Sequence, residues 1–203
     1  MTRPAREQQL LDVAERTFAE RGYSETTMEE IAARAGITKP VIYDHFGSKE
    51  QLLTAVVVRN RAELVALTRA ALDDLGPDAP PEDHLRVGFT AYLTFFGDRP
   101  DSFRASQQRA AVLEVSAADE LEELRRSQAE LIADRVRLLP QLDALPRHLR
   151  LGIAEIVLAG NERVTAWWLR NPDVTLADAV ELLMAVVWGG LRSLVEAQMN
   201  APG

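Results

Sequence analysis

Apolar positions along the chain recur at the three- and four-residue spacing of amphipathic helices, and no segment alternates convincingly like a strand. Near the N-terminus, two short helical patterns are joined by a Gly-containing turn, and a third helix follows directly. Thr27 and Ser48 each stand three residues before a Glu or Gln, the signature of a capping box. Gly36 and Gly47 fall where the two short helices should end, because glycine adopts positive φ readily. Residues 26–49 therefore predict a helix-turn-helix.

Helical periodicity continues through the rest of the chain, interrupted by segments rich in Gly and Pro. The clearest of these linkers covers residues 76–81. The pattern predicts an all-α fold with a three-helix domain over residues 1–47 and a larger helical domain over residues 48–203. The helices predicted outside the two short ones cover residues 4–21, 48–75, 82–96, 100–112, 117–139, 149–169 and 176–199.

The second short helix has one apolar face and one chemically varied face. Ile42 and Phe46 lie one turn apart and face inward, and Ile37 precedes the helix as a hydrophobic staple. Thr38 stands at the predicted N-cap, where its hydroxyl should cap the helix. The outward side chains can read base edges or phosphates, although helix pairs that only pack also occur in many all-α proteins. This outward or N-terminal set is Thr38, Lys39, Val41, Tyr43, Asp44 and His45.

The run TTMEEIAARAGITKPVIYDHFGSKEQLL, preceded by Phe18 and by the tripeptide RGY, resembles the N-terminal domain of the TetR family of bacterial transcription regulators. The resemblance covers about forty residues, 18–56, in a single register. It implies that Thr27 and Lys49 hold phosphates at two helix starts, a placement that helix N-termini favour. It also implies that a further set lies in or beside the major groove, namely Thr38, Lys39, Pro40, Tyr43 and His45.

Two positions depart from the pattern of this family. Val41 stands where a small hydroxyl residue is frequent, which favours contact with a thymine methyl group over a hydrogen bond. Asp44 stands where an aromatic or basic residue is frequent, so its carboxylate either accepts from a cytosine amino group or points away. The base preference next to Asp44 is therefore left open by the sequence.

The composition limits the possible functions. The chain of 203 residues has a net charge of −8 and no Cys, so it has neither disulfides nor a thiolate metal site. Its only lysines are Lys39 and Lys49, both at helix starts within the motif, so DNA binding should depend on local placement of charge. Three scattered His and no catalytic motif predict no enzyme, no cofactor and no metal. Without a signal peptide or a membrane span, a cytoplasmic protein is expected.

The last predicted helix is apolar around most of its circumference, which is typical of a helix buried on all sides. A second copy of the chain would supply that cover through a two-fold four-helix bundle, and the resemblance implies the same arrangement. A central helix in a monomer is the alternative. Residues predicted at the dimer interface are Val180, Val187, Gly189, Gly190, Leu191 and Leu194.

Aromatic side chains concentrate in the middle helices, with polar groups interspersed, which is the usual composition of a small-molecule site. An aromatic stripe that only forms core is the alternative. The residues predicted to bind a mostly apolar or aromatic ligand are Phe89, Tyr92, Phe96, Phe103, Arg104, Gln107, Asn161 and Trp168.

Two functions follow from these patterns. The first is a homodimeric transcription regulator, acting as a repressor, that a small-molecule effector releases from a near-palindromic operator in double-stranded DNA. The N-terminal domain would then bind DNA, and the larger domain would bind the ligand and form the dimer. The second is an all-α ligand-binding or adaptor protein whose helix-turn-helix is not used on DNA.

Overall fold

The structure is a computed structural model that describes residues 2–76, 78–112, 118–137, 143 and 145–199, without the side chains of residues 109–112, 118–121 and 195–199. Within these ranges all regular structure is helical, which confirms the predicted all-α fold. None of the described helices has the length and apolarity that a membrane crossing needs. The helices are α1 Arg3–Glu25, α2 Met28–Arg34, α3 Lys39–Phe46, α4 Lys49–Leu75, α5 Pro81–Asp98, α6 Pro100–Val112, α7 Ala118–Val136, α8 Arg147–Trp168, α9 Leu176–Leu183 and α10 Gly189–Met199.

The chain folds into two compact units. The first comprises Met1–Glu63 and Arg99–Leu124, and the second comprises Leu64–Asp98 and Arg125–Gly203. Helix α4 contributes to both units, because residues up to Glu63 belong to the first and later ones to the second. These two units are defined by how the helices pack against one another. The predicted boundary between a DNA-binding domain and a ligand-binding domain, at residues 47 and 48, stays a prediction.

The helix-turn-helix forms through the local signals that the sequence carries. The hydroxyl of Thr27 accepts a hydrogen bond from the Glu30 N–H over 3.2 Å, and Ser48 accepts one from the Gln51 N–H over 3.1 Å. Gly36, at a φ of 68°, ends α2, and the next N–H, that of Ile37, donates to the Ala32 carbonyl over 2.9 Å. This bond closes a Schellman-type turn.

Two predicted details of the motif are wrong. Thr38 does occupy the N-cap of α3, but its hydroxyl makes no capping bond, and Pro40 in the first turn offers no N–H there. The Glu30 carboxylate does not return to the cap of α2, because it pairs with Arg21 at 2.9 Å and with Arg34 at 3.2 Å. The Thr38 hydroxyl is therefore exposed at the start of α3.

The core of the first unit holds α1 to α3, the first part of α4, and α6. Phe18, Ile31 and Ile42 are fully buried at its centre. Glu15 of α1 ties the helices together, because its carboxylate accepts hydrogen bonds from Asn60 of α4 and from Ser102 of α6. Helix α6 thus packs against α1, an arrangement that the sequence did not indicate.

The second unit is built around α5, α8 and α9, which pack against one another. Phe89 and Leu93 of α5 and Ala154 of α8 are almost completely buried. The predicted single α-helix over residues 176–199 is interrupted, since Met184–Trp188 forms a π-helical turn between α9 and α10. Such turns contain one residue more than the α-helical repeat, which the hydrophobic pattern alone does not reveal.

Candidate nucleic-acid interface and internal cavity

Helix α3 presents a continuous exposed surface beside a single buried anchor. Ile42 is completely buried, whereas Val41 and Tyr43 on either side of it are each 39% exposed. An exposed aromatic ring and an exposed valine on one short helix are apolar groups able to contact base edges and methyl groups. The other exposed members of this surface are Thr38, Lys39, Pro40 and Asp44.

Lys39 has two neighbours on this surface. Its ammonium forms an ion pair with the Glu29 carboxylate of α2, and it lies 5.6 Å from the centroid of the Tyr43 ring. The hydrogen bond from Lys39 lowers the pKa of Glu29, and the same bond raises the pKa of Lys39. Both side chains are at least half exposed, so the pair is a weak surface interaction that a phosphate or base edge can replace.

His45 does not take the outward position predicted for it. Its side chain is only 10% exposed, its ring lies beside that of Phe46, and its Nδ1 is 3.4 Å from a carboxylate oxygen of Glu7 on α1. The pKa of Glu7 is lowered by hydrogen bonds from Arg3 first and from His45 second. The structure therefore places His45 between α3 and α1, and its contact with DNA stays a prediction.

Thr27 and Lys49 begin α2 and α4, as their predicted roles at helix starts require. Thr27 is exposed at its N-cap position. The Lys49 ammonium donates to the carbonyls of Tyr23 over 2.7 Å and Thr26 over 2.8 Å, and it lies above the Tyr23 ring. Lys49 thus holds the segment between α1 and α2 in place through these two hydrogen bonds. Its predicted contact with a phosphate stays a prediction.

A cavity lies inside the second unit. It contains about 770 Å³ of space between atoms, a figure that includes its open mouth. Three residues of α4 reach its wall, together with parts of α5, α7, α8 and α10. The lining residues are Val65, Thr68, Leu72, Pro81, His84, Leu85, Gly88, Phe89, Tyr92, Gln128, Leu131, Ile132, Arg135, Val136, Val157, Leu158, Asn161 and Leu191.

Three of the predicted ligand-binding residues line this cavity, namely Phe89, Tyr92 and Asn161. Phe96 is buried against Phe95 in the same unit, outside the cavity wall. Trp168 is also outside it, since its indole N–H donates to the Val174 carbonyl over 3.0 Å.

The three predicted ligand-binding residues on α6 belong to the first unit. They are Phe103, Arg104 and Gln107. Phe103 is buried, and the guanidinium of Arg104 pairs with Asp101 at 2.5 Å, one turn away on the same helix. Their positions follow from the packing of α6 on α1, so the cavity wall contains no residue of α6.

Sequence reasoning missed three polar residues of the cavity wall, namely His84, Gln128 and Arg135. His84 is buried in the first turn of α5, and its Nδ1 and Nε2 lie 3.2 and 3.1 Å from the carbonyl oxygens of Pro80 and Gly76. Gln128 and Arg135 come from α7, whose charge run indicated a solvated helix. Nothing in the sequence marks these three as neighbours. No group of side chains in the described part of the chain is arranged to hold a metal ion.

An exposed apolar stripe runs along the last helical segment. Leu182, Val186 and Leu194 are 43%, 67% and 50% exposed, and Gly190 between them is exposed with open space beyond its Cα. On α8, Ile156 is likewise 68% exposed.

Two residues predicted at the dimer interface face the core of their own chain. Val180 and Leu191 are both buried, and Leu191 packs against Val136. Val187 and Gly189 are half-buried. The exposed stripe is therefore Leu182, Val186, Gly190 and Leu194, spaced four residues apart.

Comparison with known proteins identifies a family. Residues 10–56 match the model of the bacterial regulatory proteins of the tetR family. The chain is 31% identical over 192 residues to the HTH-type transcriptional activator FasR of Mycolicibacterium smegmatis, covering 94% of this chain and 85% of the relative. It is 30% identical to the HTH-type transcriptional regulator BetI of Agrobacterium fabrum, covering 98% of this chain and 94% of the relative.

Solved structures agree with this family. A TetR-like transcriptional regulator from Rhodococcus sp. RHA1 is 26% identical and superimposes with a TM-score of 0.69, covering 95% of this chain and 98% of that one. Similarity therefore extends well beyond the helix-turn-helix. The chain belongs to the tetR family of bacterial regulatory proteins, and it is a DNA-binding transcription regulator rather than an enzyme.

Proposed function

We propose that this regulator binds a near-palindromic operator as a homodimer and that a small molecule in the cavity of the second unit releases it. The observation that carries the proposal is the exposed surface of α3, where Lys39, Val41 and Tyr43 surround the buried anchor Ile42. A helix anchored on one face and open on the other can enter a major groove without losing its support.

Operator binding by an acidic chain requires a local concentration of suitable groups. The net charge is −8, so long-range attraction to DNA is weak. The surface of α3 instead offers a lysine, hydroxyl groups and an aromatic ring within eight residues. We propose that Lys39 reads a base edge, that Val41 contacts a thymine methyl group, and that Thr27 and Tyr43 contact the backbone.

The exposed apolar stripe supports the homodimer. Leu182, Val186 and Leu194 would be unusual as a solvent-facing row, because contiguous exposed apolar patches mark interaction sites. The exposed Ile156 of α8 adds to the apolar surface. We propose that a second copy packs on α8 and on the segment from α9 to α10, related to the first by a two-fold axis. The two backbones would then approach each other closely at Gly190.

Helix α4 supplies the link between ligand and DNA. It begins at Lys49 beside the DNA-binding helices, and its residues Val65, Thr68 and Leu72 reach the cavity wall. A ligand that displaces this wall moves the same helix that supports α3 at its other end. In a dimer the spacing of the two recognition helices would change, and a fixed half-site spacing would then be lost.

Thermodynamic linkage sets the conditions for this switch. The ligand must bind the released conformation more tightly than the DNA-bound one, and DNA must weaken ligand binding by the same factor. We propose that the protein acts as a repressor. The M. smegmatis relative is named an activator, so the sign of regulation needs its own test.

The test of DNA binding is a gel shift with the DNA that flanks the gene of this protein. We expect a specific complex and a footprint with two half-sites, their centres one or more helical turns of about 34–36 Å apart. Tyr43→Ala should weaken the complex, whereas Leu67→Ala, which removes an exposed apolar side chain of α4, should not. Equal binding to the flanking and to unrelated DNA would contradict the proposal.

The sign of regulation follows from a reporter gene placed behind the same flanking DNA. A repressor lowers reporter expression, and loss of the regulator raises it. The opposite pair of results would assign an activator and would leave the operator, the dimer and the ligand switch unaffected.

A further inference from the structure

We infer that the cavity of the second unit binds an uncharged, mostly apolar molecule with one hydrogen-bond donor, such as a hydroxyl group, and that the side chain of Asn161 accepts from it. This inference rests on the proposed ligand-controlled function and specifies the chemistry of its ligand. It follows from three features of the cavity wall, namely its apolar surface, the existing partners of its charged groups, and one buried amide.

The wall is mainly aliphatic and aromatic. Leu72, Phe89, Val136 and Val157 are almost completely buried around the cavity, so a bound molecule would contact carbon over most of its surface. A large apolar part is therefore required, because burial of apolar surface is the main driving force in such sites.

The basic side chains of the wall already have partners. Arg135 donates to the Asp73 carboxylate over 3.1 Å, so a ligand carboxylate would have to compete with a residue of the same chain. The two ring nitrogens of His84 both face backbone carbonyl oxygens, those of Pro80 and Gly76. The charge of Arg135 is thus balanced within the chain, and an unpaired ligand charge in an apolar cavity is strongly unfavourable.

Asn161 is a wall residue with a buried acceptor that has no partner in the described part of the chain. Its side chain is 95% buried, at 5% exposure, and its Oδ1 accepts no hydrogen bond from any group in the described part of the chain. One turn further along α8, the hydroxyl of Thr165 is fully buried and also has no partner there. A buried acceptor without a donor is unfavourable, so a ligand that donates to Asn161 gains more than one that cannot.

Together these features favour a ligand that has no charge and that carries a hydrogen-bond donor. An anionic headgroup competes with Asp73 for Arg135 and has a desolvation cost, whereas a hydroxyl donates to Asn161 while its chain fills the apolar space. An ether or an ester of the same size fills that space as well, but it has no hydrogen to donate.

Three probes of matched chain length test the inference by displacing the neutral fluorophore 1-N-phenylnaphthylamine from the full-length protein. They are 1-decanol, methyl decyl ether and decanoate, measured at pH 8, where a carboxylic acid is ionised. We expect 1-decanol to bind about fivefold more tightly than the ether, the factor for one neutral hydrogen bond. Decanoate should bind at least about tenfold more weakly than 1-decanol because its charge must be desolvated.

Asn161→Leu provides the matched variant, because leucine has a similar volume and no polar atoms. We expect this variant to lose the preference for 1-decanol over the ether while it binds the ether as the wild type does. Its melting temperature should equal or exceed that of the wild type, since an unpartnered buried amide is removed. If ether binding and melting temperature are both retained, a lower affinity of Asn161→Leu for 1-decanol is not caused by misfolding.

Two results would overturn the inference while leaving the ligand-binding cavity in place. One is tighter binding of decanoate than of 1-decanol, abolished by Arg135→Gln, which would assign an anion site. The other is an unchanged preference for 1-decanol in Asn161→Leu. If the protein binds its operator but none of the probes displaces the fluorophore, both this inference and ligand control through this cavity are wrong.

Discussion

The ammonium of Lys49 donates a hydrogen bond to the main-chain carbonyl of Tyr23 over 2.7 Å and lies 4.3 Å from the centroid of the ring of the same residue. A second bond of 2.8 Å reaches the carbonyl of Thr26. One side chain at the start of α4 therefore holds the connection between α1 and α2. The family resemblance assigns Lys49 to a phosphate, and the geometry adds a role in the stability of the DNA-binding helices.

We expect Lys49→Met to lower the free energy of unfolding by about 1–3 kcal/mol, because two carbonyls lose a charged donor. Urea denaturation measures this change. Lys39→Met is the matched control, since it removes the only other lysine of the chain from an exposed pair and should barely move the midpoint.

The salt dependence of operator binding separates the two roles of Lys49. If it also contacts a phosphate, Lys49→Met reduces the slope of log K against log salt by about one unit. An unchanged slope, together with the expected loss of stability, would mean that Lys49 stabilises the segment between α1 and α2 but does not contact a phosphate.

The ion pair between Glu29 and Lys39 competes with DNA for the same ammonium. We expect Glu29→Gln to strengthen operator binding about two- to fivefold, the range of a weak surface pair, because Lys39 no longer has to leave a carboxylate. Fluorescence anisotropy with labelled operator measures the change. Combining Glu29→Gln with Lys39→Met should reduce the gain, and a full gain in the double variant would attribute it to general repulsion between Glu29 and DNA.

Gly190 offers a test of the dimer surface. A Cβ added at Gly190 meets no atom within 4 Å outside its own helical turn, and the position is exposed, so the monomer has room for Gly190→Arg. We expect it to convert a dimer to a monomer in sedimentation velocity and to weaken operator binding at least tenfold, because charges are excluded from an apolar interface core. Leu67→Arg, at an exposed position of α4, should leave both unchanged, and a dimeric Gly190→Arg protein would refute this interface.

Gly88 offers a way to fill the cavity without distorting it. It lies in α5 on the cavity wall, and a Cβ added there meets no atom within 4 Å outside its own helical turn. We expect Gly88→Leu to weaken binding of 1-N-phenylnaphthylamine about tenfold by occupying its space, with operator affinity unchanged. Gly152→Leu on α8 makes the same change outside the cavity, and an equal effect in that variant would show that glycine replacement itself is responsible.

The start of α9 should be sensitive to acid. The Asp178 carboxylate accepts from the hydroxyl and then from the N–H of Thr175, and both bonds lower the pKa of Asp178 below its ordinary value of 3.8. Their stabilisation is fully present above the ordinary pKa and is lost as the pH falls through the lowered one. Urea unfolding from pH 7 to pH 3 should therefore show that Asp178→Asn has a lower free energy of unfolding than the wild type, and that this difference shrinks below about pH 4. A loss independent of pH would contradict this assignment.

The sequence was most informative where structure depends on neighbours along the chain. Thr27, Ser48 and Gly36 perform the predicted capping and turn roles, because these need only local backbone geometry. The bounds of α4 and α6 were also predicted closely. His45 was misplaced because its ring turns toward Glu7, thirty-eight residues away, for which helix periodicity gives no signal.

The cavity was harder to predict for the same reason. Phe89 and Phe103 have the same character in the sequence, but only Phe89 lies on the wall, because α6 packs on α1 in the first unit. That packing depends on long-range contacts such as the one between Ser102 and Glu15. Composition therefore indicated an apolar site, whereas the choice among its aromatic residues required the three-dimensional arrangement.

The π-helical turn at Met184–Trp188 reduces the winding of the exposed stripe around the helix axis. In a regular α-helix, positions four residues apart rotate about 40° around the axis at each step, so Leu182 and Leu194 would lie on different sides. A wider turn takes up part of that rotation, so Leu182 and Leu194 lie closer to a single edge than they would in a regular α-helix. Removing one residue from this turn would restore the α-helical repeat and rotate everything beyond it by about 100°, carrying Gly190 away from Val186 while every side chain of the stripe is still present.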